Sequence, residues 1–189
     1  MVPGIDPKVD YAFKRLFGRE PNQALSIHLL NAVLAPPPRQ RVVDLELLNP
    51  FNDKDRLDDK LSILDVKARD QSGRQFNVEM QLLASRYFRQ RVPYYWARLH
   101  QSQLQEGEDY FVLRPTLSIC FVNTPLFPEV PAYHLVFELR ERDHPLVFTD
   151  DLVVHVLELP KFTKTAEELV TPLDVWLYFL RHGDQLDTA

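Results

Sequence analysis

The residues of this sequence best suited to chemistry are two acidic side chains, Asp65 and Glu79. They lie in two segments, 61–69 and 76–82, in which apolar and polar residues alternate as they do in strands with one buried face. If these strands pair, opposed side chains have Cβ atoms about 4.5–5.5 Å apart. Two carboxylates that close repel each other unless a cation lies between them, so the pattern predicts a divalent metal site.

The turn between the two segments decides which residues face each other. Gln71-Ser72-Gly73 suits a hairpin loop made of a type I turn and a bulge, with Gly73 in the left-handed conformation that glycine adopts without strain. Counting outward from this loop gives the opposed pairs, which are Asp70 with Arg74, Lys67 with Asn77, and Asp65 with Glu79.

Mg²⁺, or Mn²⁺ in its place, suits these ligands because it prefers carboxylate and water oxygens and needs only one or two carboxylates. The Met80 carbonyl is a candidate third protein ligand. An ion held there would act as a Lewis acid and lower the pKa of a bound water. The hairpin alone also allows a second interpretation of Asp65 and Glu79, in which they lie on a solvated strand face and Lys67 and Arg69 neutralise them.

The rest of the chain supplies elements that can position these residues. Helices are predicted over 7–18, 21–34, 86–106 and 165–180, and strands over 42–48, 116–123, 133–140 and 153–159. Asp6 would cap the first helix, and Gly107 the third. A hairpin, then a helix, then a buried strand predict an α/β fold, a mixed central sheet flanked by helices, in a single domain over 1–189.

The order of these motifs resembles a known nuclease family. Asp65 on one strand and Glu79-x-Gln81 on the next resemble the PD-(D/E)xK core, with Gln81 where the lysine usually stands. The closer resemblance is to the Rpn family of recombination-promoting nucleases and putative transposases. The segments that also carry it are Asp10 to Gly18, Tyr94-Tyr95 through Tyr110, Leu157 to Phe162, and Trp176 to Leu180.

This resemblance implies a restriction-endonuclease-like core and a Mg²⁺-dependent DNA endonuclease linked to recombination or mobile-element movement. Gln81 would position water, and Lys67 would offset charge on the scissile phosphate. Similar nucleases often bring an acid from the first helix to the metal, which makes Asp10 a candidate; a solvated first-turn residue favoured by the helix dipole is the alternative. The family usually continues beyond the Trp176 helix, so we expect a short C-terminus.

A basic, aromatic stretch follows the hairpin and could contact nucleic acid. Arg91, Tyr95 and Arg98, with Tyr94, could bind phosphate or stack on a base, although aromatic residues at helical spacing are often core. The net charge of −5 argues against a generic nucleic-acid coat without excluding a nuclease. Many nucleases of this fold dimerise, so a homodimer is a further prediction of the resemblance.

Composition excludes several other classes. The single cysteine, Cys120, lies in an apolar run and excludes a disulfide framework, and neither a membrane span nor a signal peptide is visible, which predicts a cytoplasmic protein. No histidine spacing suits zinc, and no glycine-rich loop suits a nucleotide cofactor. Two alternative functions stay open. One is a non-catalytic nucleic-acid-binding or interaction module that kept the nuclease fold, and the other is a phosphodiesterase acting on RNA or a small nucleotide.

Overall fold

The computed structural model describes residues 5–49, 51–52, 62–63, 65–83 and 85–185. The helices are α1 (Asp10–Phe17), α2 (Gln23–Leu34), α3 (Phe88–Gln101) and α4 (Pro172–His182). The strands are β1 (Leu45–Leu48), β2 (Phe51–Asn52), β3 (Ser62–Ile63), β4 (Val66–Asp70), β5 (Gln75–Gln81), β6 (Thr116–Val122), β7 (His134–Arg140) and β8 (Val147–Glu158). The predicted α/β class with a mixed, helix-flanked sheet is confirmed.

Within these described ranges, the main sheet has the strand order β1-β4-β5-β6-β8-β7, and β2 pairs separately with β3. β5, β6 and β8 run parallel, and their register aligns Gln81 with Val122 and Val122 with Glu158. The carboxyl ends of the three strands therefore meet at one edge of the sheet. β6 is buried at every position, as expected for a central parallel strand with both faces covered.

The hairpin of β4 and β5 has the predicted register, with Lys67 opposite Asn77. Gly73 has a φ of +87°, the left-handed conformation that the predicted loop requires. The turn is closed by the Asp70 N–H, which donates to the Arg74 carbonyl at 3.0 Å, and by Arg74 Nε, which donates to the buried Asp70 carboxylate at 2.7 Å. The pairing is confirmed from Val66 to Arg69. Leu61 and Leu64, at the start of the predicted first strand, lie outside the described residues.

The two faces of the sheet carry different cores. Phe13 and Phe17 of α1 pack with side chains of α2, α4 and the sheet, including Phe76 and Phe121, in the larger core. On the other face, residues of α3 cover a smaller apolar cluster, formed by Phe88, Val92, Cys120, Val122, Val154 and Val156. Because side chains alternate along a strand, residues of β5 that flank Glu79 enter the larger core and Glu79 itself faces α3.

Several predicted boundaries were wrong, and capping residues explain why. α3 ends at Gln101 with Ser102 as its cap, and Gly107 instead forms a later turn with a φ of +87°. The predicted helix over 165–180 is a short 3₁₀ turn followed by α4, because Thr171 caps a new helix whose first residue is Pro172. α1 begins at Asp10, since the Asp6 carbonyl accepts a turn hydrogen bond from the Val9 N–H.

A histidine pair joins β7 to β8. His134 Nε2 lies 2.9 Å from His155 Nδ1, and His155 is only 6% exposed. Burial, and then the neighbouring His134, lower the pKa of His155 to about 4, and burial lowers the pKa of His134. An unfolded histidine titrates near pH ~6.5, so between about pH 6.5 and 4 the unfolded state binds more protons than the folded state.

We therefore expect the free energy of unfolding to have its full value above pH ~6.5. As the pH drops to ~4, the low pKa of His155 in the folded state should lower this free energy by about 3 kcal/mol. Urea unfolding across this range, compared between the wild type and His155→Gln, isolates the contribution. The His144→Gln variant is the control, because His144 is exposed beside Glu141. An unchanged pH dependence in His155→Gln would contradict the prediction.

Candidate active site

Asp65 lies one residue before β4, and its carboxylate is fixed to β5. Its Oδ2 accepts a hydrogen bond from the Met80 N–H at 2.8 Å, and its Oδ1 lies 3.5 Å from Lys14 Nζ. Burial raises the pKa of Asp65, and the Met80 hydrogen bond and Lys14 oppose that rise only in part. The carboxylate is thus anchored by backbone and poorly solvated.

Glu79 lies within β5 and is 2% exposed. Its Oε1 accepts a hydrogen bond from Asn77 Nδ2 at 2.9 Å, whereas its Oε2 is buried and has no hydrogen-bond partner among the described residues. Burial raises the pKa of Glu79; Asn77 and Arg91 lower it, and the nearby Asp65 raises it further. Glu79 therefore presents a buried carboxylate oxygen with an unused acceptor.

Arg91 of α3 lies against this carboxylate. Its Nη2 is 3.6 Å from Glu79 Oε2, and its guanidinium carbon lies 5.6 Å and 5.7 Å from the ring centroids of Phe88 and Tyr95. Both Nε and Nη2 are buried and have no hydrogen-bond acceptor in the described part of the chain. Arg98 lies two turns further along α3, about 10 Å by helix geometry, where its Nη1 donates to the Tyr94 hydroxyl at 3.4 Å.

Lys14 is a site residue that the sequence analysis missed. Its Nζ lies 2.7 Å from Asp10 Oδ1 and 3.5 Å from Asp65 Oδ1, so it bridges the two acids. Burial alone would lower the pKa of Lys14, but the two carboxylates raise it. The spacing of Asp10 and Lys14 by four residues predicts their ion pair. Asp10, with a side chain 67% exposed, is linked to Asp65 through Lys14.

The donor set fits a hard divalent ion. Among the described residues, no group of three or more His, Cys, Asp or Glu side chains could hold a metal ion. Asp65 and Glu79 nevertheless supply the one or two carboxylates that Mg²⁺ commonly takes, with water completing its shell. The buried and unpaired Glu79 Oε2 is an oxygen that a cation would satisfy. These two residues are the candidate ligands for Mg²⁺ or Mn²⁺.

A family model described as PD-(D/E)XK nuclease family transposase matches residues 7–189. The chain belongs to this family. The resemblance drawn from the sequence is confirmed, and the mixed sheet agrees with a PD-(D/E)XK fold. No curated protein and no solved structure matches the chain. No helix of the described residues is long and apolar enough to cross a membrane.

The motif in the name of the PD-(D/E)XK family ends in lysine, whereas this chain has Gln81 at that position. Gln81 is the final residue of β5, half-buried, and its carbonyl accepts a hydrogen bond from the Asn123 N–H at 2.9 Å. Lys67 is half-buried on the neighbouring strand, opposite Asn77. The structure therefore places two basic side chains against the two carboxylates, which are Lys14 beside Asp65 and Arg91 beside Glu79.

Proposed function

We propose that this protein is a metal-dependent DNA endonuclease that hydrolyses phosphodiester bonds. The observation that carries the proposal is the pair of poorly solvated carboxylates, Asp65 and Glu79, one of which keeps an unused buried oxygen, in a chain of a nuclease family. Both side chains would hold Mg²⁺ or Mn²⁺, with the Met80 carbonyl as a third protein ligand.

When bound, the ion supplies Lewis acidity to the phosphodiester and lowers the pKa of nearby water. In the hydrolysis, a water oxygen forms a bond to phosphorus, the bond from phosphorus to one sugar oxygen breaks, and a water proton ends on that leaving oxygen. Gln81 would orient the water, since its amide both donates and accepts hydrogen bonds. Lys67 would offset charge on the scissile phosphate, and Asp10 would act through Lys14.

The DNA would lie along α3, where Arg91, Tyr95 and Arg98 are the proposed contacts. Tyr94 is 41% exposed, and Tyr95 is half-buried over Arg91, so neither ring belongs to the apolar clusters described above. A role in recombination or mobile-element movement is part of the proposal and rests on the transposase family. The cytoplasmic location and the homodimer stay predictions from the sequence.

The deciding experiment is cleavage of supercoiled plasmid by the purified protein in Mg²⁺, Mn²⁺, Ca²⁺ or EDTA. We expect cleavage in Mg²⁺ or Mn²⁺, none in EDTA, and none by Glu79→Gln. The matched control is Glu46→Gln, because Glu46 is an exposed strand residue that pairs with Arg69 at 2.6 Å and has no proposed role in the site. A single-stranded RNA of matched sequence measures the preference for DNA. A folded wild type without activity in any metal would reject the proposal.

The second candidate function is a nucleic-acid-binding or interaction module that retains the fold without turnover. Two observations favour it. Gln81 brings no charge to the position of the family's lysine, and Arg91 already lies against Glu79. This candidate predicts DNA binding with no strand scission in the same assay.

A further inference from the structure

Arg91 and Glu79 form an ion pair that leaves both partners incompletely satisfied. We propose that Arg91 supplies the positive charge that position 81 lacks, by changing partner from Glu79 to an oxygen of the scissile phosphate when Glu79 binds a divalent ion. This inference rests on the proposed nuclease function. It assigns Arg91, on α3, the task that a strand lysine would perform at Gln81.

The geometry of the pair supports an exchange of partners. At 3.6 Å, Arg91 Nη2 and Glu79 Oε2 attract each other as charges but lie beyond hydrogen-bond distance. Oε2 keeps an unused acceptor, and Nε and Nη2 keep unused donors. Buried polar atoms without partners are costly, so both groups gain from a third party. The gain would come from a cation for Glu79 and from an anion for Arg91.

Two other buried carboxylates among the described residues are paired more tightly than Glu79. Arg74 Nε donates to Asp70 at 2.7 Å, and that carboxylate also accepts a hydrogen bond from the Arg74 N–H. Lys164 Nζ donates to Asp174 Oδ1 at 2.7 Å. These pairs are hydrogen-bonded and lie away from the carboxylates of the site. Arg91 and Glu79 alone among the three lack a direct hydrogen bond.

The Arg91 side chain is 28% exposed, and its guanidinium packs against two aromatic rings. The rings of Phe88 and Tyr95 lie within 6 Å of its central carbon and favour a cation between them. A guanidinium presents its donors in a planar fork that matches the oxygens of a phosphate. Of the two cations that the structure places against Asp65 and Glu79, Lys14 is already engaged by Asp10 and Asp65, whereas Arg91 keeps unused donors.

The exchange predicts that loss of Arg91 lowers the rate of cleavage and either preserves or strengthens the binding of the metal ion. Because Arg91 competes with a divalent ion for Glu79, Arg91→Met should bind Mn²⁺ with equal affinity or up to ~10-fold more tightly. Losing a charged donor to the phosphate should lower cleavage at saturating Mn²⁺ by at least ~100-fold. A purely structural role would instead lower both.

The experiment compares the wild type, Arg91→Met and Arg91→Lys, with Arg140→Met as the control for loss of an arginine charge, because Arg140 pairs with Glu138 at 2.7 Å on the surface of β7. Mn²⁺ affinity is measured from the free-ion signal in electron paramagnetic resonance. Cleavage is measured at saturating Mn²⁺. Binding of a labelled DNA duplex is measured by fluorescence anisotropy in Ca²⁺ and in EDTA.

We expect Arg91→Met to lose DNA affinity about 10-fold in Ca²⁺ and little in EDTA, where Arg91 stays with Glu79. Arg91→Lys should be intermediate in cleavage, and Arg140→Met should match the wild type in all three measurements. Cleavage by Arg91→Met within ~3-fold of the wild type, or a loss of DNA affinity that is equal in Ca²⁺ and EDTA, would overturn the inference. If the wild type binds Mn²⁺ without cleaving, the proposed function fails, and the Mn²⁺ and anisotropy measurements still decide the role of Arg91.

Discussion

Replacing Asp65 by asparagine is expected to lower metal-dependent cleavage by about a thousandfold, equivalent to ~4 kcal/mol, without weakening the fold in EDTA. The loss follows because asparagine brings no negative charge to a divalent ion. The fold should hold because an amide oxygen can still accept the Met80 N–H hydrogen bond, which is 2.8 Å long.

The stability half of this prediction comes from the electrostatics of Asp65. Burial raises the pKa of this carboxyl despite the hydrogen bond from Met80 and the neighbouring Lys14. A raised carboxyl pKa means that its charged form is disfavoured in the folded state, so at neutral pH the charge opposes folding. Removing that charge should leave the free energy of unfolding equal to, or above, that of the wild type.

Two measurements on one preparation check the prediction, namely plasmid cleavage in Mn²⁺ and urea unfolding in EDTA. Mn²⁺ should raise the unfolding midpoint of the wild type and not that of Asp65→Asn, since only a folded site binds the ion. The control is Asp44→Asn, an exposed carboxylate that accepts a hydrogen bond from the Leu45 N–H at 2.9 Å. Cleavage within tenfold of the wild type, or a less stable Asp65→Asn in EDTA, would refute the assignment.

Replacing Glu158 by alanine is expected to lower the free energy of unfolding by about 3–5 kcal/mol. Glu158 ends β8, is fully buried, and pairs with Lys161. Its Oε1 accepts hydrogen bonds from the backbone N–H groups of Leu126 and Phe127. Lys161 Nζ in turn donates to the carbonyls of Phe127 and Val130, at 2.7 Å and 2.6 Å.

The large cost follows because the substitution leaves a buried ammonium without its counter-charge and two backbone N–H groups without their acceptor. Urea unfolding measures it directly. The matched control is Glu138→Ala on β7, an exposed glutamate that pairs with Arg140 at 2.7 Å, for which we expect a change of about 0–1 kcal/mol. Equal losses in the two variants would show that the buried network contributes no more than a surface pair.

The hairpin was predictable from the sequence because local chemistry determines it. Gly73 can adopt the left-handed conformation, and the turn that results pairs Asp70 with Arg74. Alternating polarity then sets the faces of both strands. The same register predicts Asp65 opposite Glu79, one residue before the observed pairing begins at Val66.

The partners of the two carboxylates were harder to predict because they come from distant parts of the chain. Lys14 reaches Asp65 only because α1 packs beside the hairpin. The four-residue spacing in the sequence predicts only the ion pair of Lys14 with Asp10. Arg91 was predicted to contact DNA, whereas the structure places it against Glu79. Glu158 and Lys161 were noted only as part of a family segment, and the loop that they hold became visible with the fold.

The Asp70–Arg74 turn lies at the far end of the strands from the carboxylates of Asp65 and Glu79, yet it sets the register that positions them. Inserting or deleting a single residue there would shift β4 by one position against β5 and turn Asp65 toward the larger core. A change of two residues would restore the parity of the faces. Surface loops usually tolerate length variation, but the length of this loop sets the register of β4 against β5 and therefore the positions of the site residues. We therefore expect the length of this turn to be constrained as closely as the identity of Gly73, which its left-handed conformation requires.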